Sequence, residues 1–257
     1  MHHLHLLWQL TRRDIIGRYR GSSLGLLWAV LVPLMLLAIY TFVFSVVFQA
    51  RWGQSDESKV FFALNLFAGM ILHGLLTETM QRCCSVILQH GNYVKRVVFP
   101  LRLLPATVLL SALFHAAISM LILVAANLLL QGSLHWQVLG LPLVILPLLI
   151  YAAGIGWLLA GLGVYLRDLS QVMPMLSTIM LFTAPVFYPL SALPERFQGW
   201  LVLNPLTTPI EMTRALLFDQ QWPDPASYLQ SVAVACGMLL VGLWLFKRLR
   251  PGFADAI

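Results

Sequence analysis

Acid–base, nucleophilic, metal or phosphate chemistry needs particular side chains at workable spacings. The three cysteines are one adjacent pair, Cys83 and Cys84, and the distant Cys236. That is neither a disulfide framework nor a zinc pattern, which needs CxxC or a His/Cys cluster. His2, His3 and His5 stand among hydrophobic residues and read as a solvated terminus rather than a metal tract. A zinc protease needs HExxH and a hydrolase elbow needs GxSxG. Neither is present, and Gly21-Ser22-Ser23-Leu24-Gly25 only imitates the second at the wrong spacing. No GxxxxGKS or GxxxxGKT run exists to cradle a nucleotide. His73 and His115 fall in apolar stretches with no serine or acid at fixed spacing, and read as packed hydrogen-bonders. Glu78, at the end of an apolar stretch, is the one acid placed near membrane depth. A proton- or sodium-coupled carrier needs more such groups. These residues predict no catalytic and no metal site, and an energy source outside the chain.

The surrounding elements explain that poverty. The 257 residues are 60 % hydrophobic and 10 % charged. A soluble domain is about 45–50 % apolar and about 25 % charged. The composition excludes a cytosolic enzyme, a disordered chain and a nucleic-acid binder. Arg12, Arg13, Arg18 and Arg20 precede an apolar stretch too long for a cleaved signal peptide. A helix crosses the hydrocarbon with about 20 apolar residues. Six segments meet that length: 24–49, 60–80, 103–130, 138–165, 172–188 and 227–246. The third and fourth form one uncharged run, divided by Gln131-Gly132-Ser133 and His135. Pro33, Pro142, Pro147, Pro174 and Pro185 lie inside these segments and are expected as kinks, which a bundle tolerates. The period-2 alternation of a barrel is absent. The reading is an all-α polytopic membrane protein, a single domain over 1–257 without a hydrophilic module. Of the 16 cations, 12 fall on the side that carries both termini. The positive-inside rule makes that side cytoplasmic.

Three segments are not plain spans. Residues 3–16 read as a helix lying on the membrane, with Leu4, Leu7, Trp8 and Ile15 on one face and Arg12, Arg13 and Asp14 on its polar side or end. Residues 81–100, the longest cytoplasmic loop, place Tyr93, Val94 and Phe99 beside Lys95 and Arg96. A short helix docking a soluble partner explains them, and so does burial against the chain's own helix ends. Residues 189–224 are external, apolar and broken by prolines, which fits two short helices dipping into the outer leaflet. Glu211 and Arg214 stand one helical turn apart there and can pair.

Five stretches occur in a recognisable order: RRDIIGRYRGSSLGLLWAVLVPL at 12–34, KRVVFPLRLLP at 95–105, YLRDLSQV at 165–172, TAPVFYP at 183–189 and LNPLTTPIEMTR at 203–214. Together they resemble ABC-2 type polysaccharide-export permeases, the Wzm, KpsM and TagG group that exports O-antigen, capsule or teichoic acid. The resemblance implies six transmembrane helices, a homodimer, and two copies of a separate ABC ATPase subunit in the bacterial inner membrane. It implies no enzyme activity and no cofactor in this chain, with ATP and Mg²⁺ on the partner ATPase. The cargo it implies is a lipid-linked polysaccharide.

The resemblance also assigns parts. Residues 1–20 become an interface helix, 86–99 a coupling helix, and 189–224 an external re-entrant gate. The first and fifth spans line the route, which nominates Trp28, Tyr40, Phe42, Phe44, Phe187 and Tyr188; lipid-facing aromatics are the alternative for each. Trp8, Arg18 and Arg20 become candidates for the lipid diphosphate, or a plain anchor to anionic lipid. Val94, Lys95, Arg96 and Phe99 become candidates for ATPase docking. Rival readings are an ABC-2 permease for a drug or small lipid, an intramembrane lipid or glycosyl transferase, and a membrane scaffold.

Overall fold

The computed structural model describes residues 2–43, 59–96, 99–131, 135–192, 194–201 and 203–257, and every regular element among these is helical. Helix α1 (His2–Tyr19) is followed by α2 (Trp28–Thr41), α3 (Lys59–Gln89), the short α4 (Gly91–Arg96) and α5 (Leu103–Gln131). Then come α6 (Leu141–Tyr165), α7 (Leu169–Thr183), the short α8 (Glu195–Leu201) and α9 (Thr207–Arg214), α10 (Pro225–Leu249) and the terminal turn α11 (Phe253–Ala256). Helix α3 packs on α5, α6, α7 and α2, and is buried along most of its length. Helix α10 lies outside that centre, against α6. Gly154 and Gly242 let these two backbones meet: a Cβ on either would strike the other helix's main chain.

Helices α3, α5, α6 and α10 are long and apolar enough to cross a membrane. Their outward faces remain apolar: Leu121, Leu129, Leu240 and Trp244 are all exposed. Only hydrocarbon accommodates such a perimeter, so this is an integral membrane protein. Helices α2 and α7 are shorter, at 14 and 15 residues. At 1.5 Å per residue each reaches only about 22 Å, less than the roughly 30 Å of hydrocarbon. The rest of the segment read as 24–49 falls largely on residues 44–49, outside the described residues.

The segment read as a span over 172–188 stops being helical at Thr183. Pro185 is the cause. The residue before a proline avoids the α region, and Ala184 is extended, at φ −101° and ψ 153°. Pro185 therefore ends a helix, whereas Pro33, Pro147 and Pro174 sit inside theirs and Pro142 starts α6.

Among the described residues of the segment 86–99, expected as one coupling helix, the helical ones fall in two helices. Val86 and Ile87 are buried in the core, so residues through Gln89 continue α3, and only Gly91–Arg96 forms a separate helix. Between α7 and α10 lie α8, α9 and a π-helical turn, Ala215–Asp219, closed by Gln220 in the left-handed region at φ 57°.

Candidate functional site

A cavity of about 450 Å³ opens where the end of α1 meets α2, α3 and α5. Trp28, Pro33 and Tyr40 form its α2 wall. His73 and Glu78 come from α3, His115 from α5, and Arg18 and Tyr19 from α1. The walls are mainly apolar and aromatic, and one end is charged. Trp28 is fixed by donating its indole N–H to Ser22 Oγ at 2.8 Å. His73 donates from Nε2 to the Ser177 carbonyl on α7 at 2.9 Å. His115 Nδ1 lies 3.2 Å from the Tyr19 hydroxyl. Both histidines thus have partners on other elements.

The charged end is a network between α1 and α3. Arg82 Nη2 donates to both oxygens of Asp14 at 2.7 Å. Arg82 Nη1 and Arg18 Nη1 each meet Glu78 Oε1 at 3.1 Å. Burial pushes the Asp14 carboxyl up, but the bonds and charge of Arg82 together with the charge of Arg18 and the Ser111 hydroxyl outweigh that and hold it below the usual carboxylate range. Arg18 keeps 42 % of its side chain exposed, so its guanidinium can take a second anion beside Glu78. A second, more polar cavity of about 520 Å³ lies between α1, α3 and α5, and shares Arg18 with the first.

This network explains how α1 is seated. Leu10, Thr11, Asp14 and Arg18 follow helical spacing along one stripe. Leu10 and Thr11 are buried and α1 packs on α5, whereas Leu4 and Trp8 are exposed. Of the face read from Leu4, Leu7, Trp8 and Ile15, Leu7 and Ile15 are half-buried, and Leu7 shares the stripe of Thr11, Asp14 and Arg18, while Leu4 and Trp8 point away from the bundle. Arg82 and Glu78 hold that stripe inward through Asp14 and Arg18.

The structure brings Arg18, Trp28 and Tyr40 to one cavity. Trp8 and Arg20 are exposed and do not line it, and Phe42 is exposed just past α2. Phe44 lies outside the described residues. Phe187 and Tyr188 follow the break after α7. Phe187 stacks on Phe182 with centroids 5.6 Å apart, and Tyr188 donates to the Phe182 carbonyl at 2.9 Å. Val94 and Phe99 are half-buried and pack inward on the core. Phe99 stacks on Tyr93 with ring centroids 4.6 Å apart, and Tyr93 receives both Nη groups of Arg13 at 3.3 Å. The backbone places Lys95 and Arg96 on α4.

The pairing of Arg82 with Glu78 and Asp14 escaped the sequence reading. Glu78 and Arg82 at i and i+4 were a usable signal. The Arg13–Tyr93 contact, 80 residues apart, left none.

The sequence model of the ABC-2 type transporter family matches residues 5–218. The chain belongs to this family. It is 28 % identical over 254 residues to the O-antigen export system permease protein RfbA of Myxococcus xanthus, covering 98 % of this chain and 95 % of that one. A Klebsiella pneumoniae protein of the same name is 27 % identical, with the same coverage. The polysialic acid transport protein KpsM of Escherichia coli is 25 % identical over 239 residues, covering 93 % of this chain and 91 % of KpsM. The ABC-2 match contains both cavities, the break after α7 and the whole of α9, so these features belong to the family region of the chain.

Proposed function

We propose that this chain is the permease subunit of an ATP-driven ABC exporter of a lipid-linked polysaccharide, an O-antigen or related surface glycan, in the bacterial inner membrane. The observation that carries this reading is nearly end-to-end similarity to O-antigen and polysialic acid export proteins. Two permease copies form the route, and two ABC ATPase subunits hold ATP and Mg²⁺. Both termini are cytoplasmic, with the basic end of the bundle.

The geometry supports a division of labour. A partner bound at α4, through Val94, Lys95, Arg96 and Phe99, favours one permease arrangement over another only by binding them unequally. Tyr93 and Arg13 connect α4 to α1, and Arg18 with Glu78 connects α1 to the cavity. Arg18 and Arg20 receive the diphosphate, since guanidinium forks match phosphate oxygens. Trp8 holds α1 at the lipid surface. The sugars pass Trp28, Tyr40, Phe42, Phe44, Phe187 and Tyr188, whose apolar faces and polar edges accept rings without fixing one sugar. Deleting the gene is expected to strip the glycan from the surface and accumulate its lipid-linked form inside. Unchanged surface glycan overturns the reading.

A further inference from the structure

Arg214, the last residue of α9, is only 4 % exposed although it carries a full charge. Its Nε and Nη2 donate to the Asn65 carbonyl on α3 at 3.1 and 2.9 Å. Nη2 also donates to the Val186 carbonyl at 2.9 Å, and Nη1 donates to the Pro185 carbonyl. Glu211, one turn back, takes Nη1 at 3.3 Å, yet its own side chain is 38 % exposed. Most of the bonds on this guanidinium therefore come from backbone carbonyls, not from an acid.

The carbonyls have a common origin. Pro185 ends α7, so the carbonyls of residues 185 and 186 face the interior without a helical N–H to receive. The arginine fork replaces those donors and reaches α3 at the same time. Gly69 of α3 leaves the room: a Cβ there would stand 3.2 Å from Arg214 Nη2, 3.2 Å from Val186 Cγ1 and 3.3 Å from Val186 Cα. Phe187 and Tyr188 come next in the chain.

We infer that Arg214 is a positioning residue for export: it locks α9 and the extended segment 184–188 to α3, so that the aromatic pair Phe187–Tyr188 and α9 stay in register as one body. The inference rests on the proposed export route for its consequence, but the lock itself is testable without cargo. Lysine carries the charge and lacks the fork, so it cannot hold three carbonyls on two segments at once.

The experiment compares Arg214→Gln, Arg214→Lys and Gly69→Ala with wild type in the assembled transporter. Hydrogen exchange is read over 184–192, 207–219, α1 and α5, and surface glycan is measured in cells with matched chain levels. Both arginine variants are expected to exchange at least tenfold faster over 184–192 and 207–219, with α1 and α5 unchanged and surface glycan reduced at least tenfold. Gly69→Ala keeps the arginine and crowds its seat, and gives a smaller change in the same peptides even if the arginine variants do not fold. Uniformly faster exchange along the chain, full rescue by lysine, or unchanged exchange in all three variants overturns the lock. If wild type exports no glycan, the export reading fails while the exchange pattern still decides the lock.

Discussion

The two ends of the bundle use arginine in opposite ways. At the basic end, Arg18 and Arg82 meet carboxylates of Glu78 and Asp14, and all four side chains are partly exposed. At the other end Arg214 is buried and held mainly by carbonyls. Charge partners in contact with water are worth little and are readily exchanged for another anion. A buried fork on backbone carbonyls has no such exchange available, because each carbonyl it leaves stays unpaired. One end is therefore built to trade partners and the other to keep them.

Replacing one arginine at each end tests that contrast most severely. Arg214→Met leaves the Pro185 and Val186 carbonyls buried without their donor, at about 1–3 kcal/mol each, so a loss of roughly 3 kcal/mol is expected. Arg82→Met removes pairs whose side chains are 21–32 % exposed, where water replaces part of the lost contact, and is expected to cost about 1 kcal/mol, the upper end for water-contacted pairs. Thermal midpoints of the two variants in one detergent measure the difference. Equal losses would erase the distinction between the ends.

The exchangeable end has its own signature. Reversing Arg18 and Arg20 to glutamate puts acid beside Glu78 and removes the forks offered to a diphosphate. Export is expected to fall at least tenfold while the chain remains in the membrane at normal level. Arg18→Lys with Arg20→Lys retains charge and is expected to keep a measurable fraction. Normal export in the reversed variant reduces both residues to lipid anchors.

The cavity between α1, α2, α3 and α5 gives a smaller effect. Tyr40→Ala removes one aromatic face from a wall that keeps Trp28, so a severalfold drop in export is expected, deepening when Trp28→Ala is added. Equal export in the single and double variants removes the cavity from the route. Leu121 is exposed on α5 and lines no part of this cavity, so Leu121→Ala serves as the comparison.

The sequence made the helical bundle legible because uncharged apolar runs leave helix as the backbone state that lipid tolerates. The site was legible only in pieces. Trp28 and Tyr40 were nominated for the route and Arg18 for a lipid headgroup, and their meeting depends on α3 and α5, which no spacing within residues 18–40 reports. Pro174 and Pro185 show the limit most clearly. Both stand in one apolar segment, yet only the second ends the helix. The freed carbonyls there are tolerated because Arg214, 28 and 29 residues on, reaches them. The composition of the segment contains no record of that partner. The inward packing of Val94 and Phe99 was open for the same reason, since their neighbours lie on other elements.

Asp14 offers the mildest test of the exchangeable end. Its carboxyl is held below the usual range in the folded chain, because its polar and charged neighbours, Arg82 foremost, together outweigh the effect of burial. A group with a depressed folded pKa adds stability that is complete above its unfolded pKa, near 3.8, and is lost as pH falls through the lower folded value. The seating of α1 on α3 and α5 is thus expected to hold between pH 7 and about 5 and to loosen at about 4 and below. Hydrogen exchange of α1 against pH measures this. Asp14→Asn cannot titrate, so its α1 peptides should exchange faster at neutral pH and show a flatter acid response. The Arg214 peptides, where Glu211 also meets the guanidinium, should respond to acid alike in wild type and Asp14→Asn. A response flattened equally at both ends by Asp14→Asn would mean that Asp14 governs the whole bundle rather than its charged end.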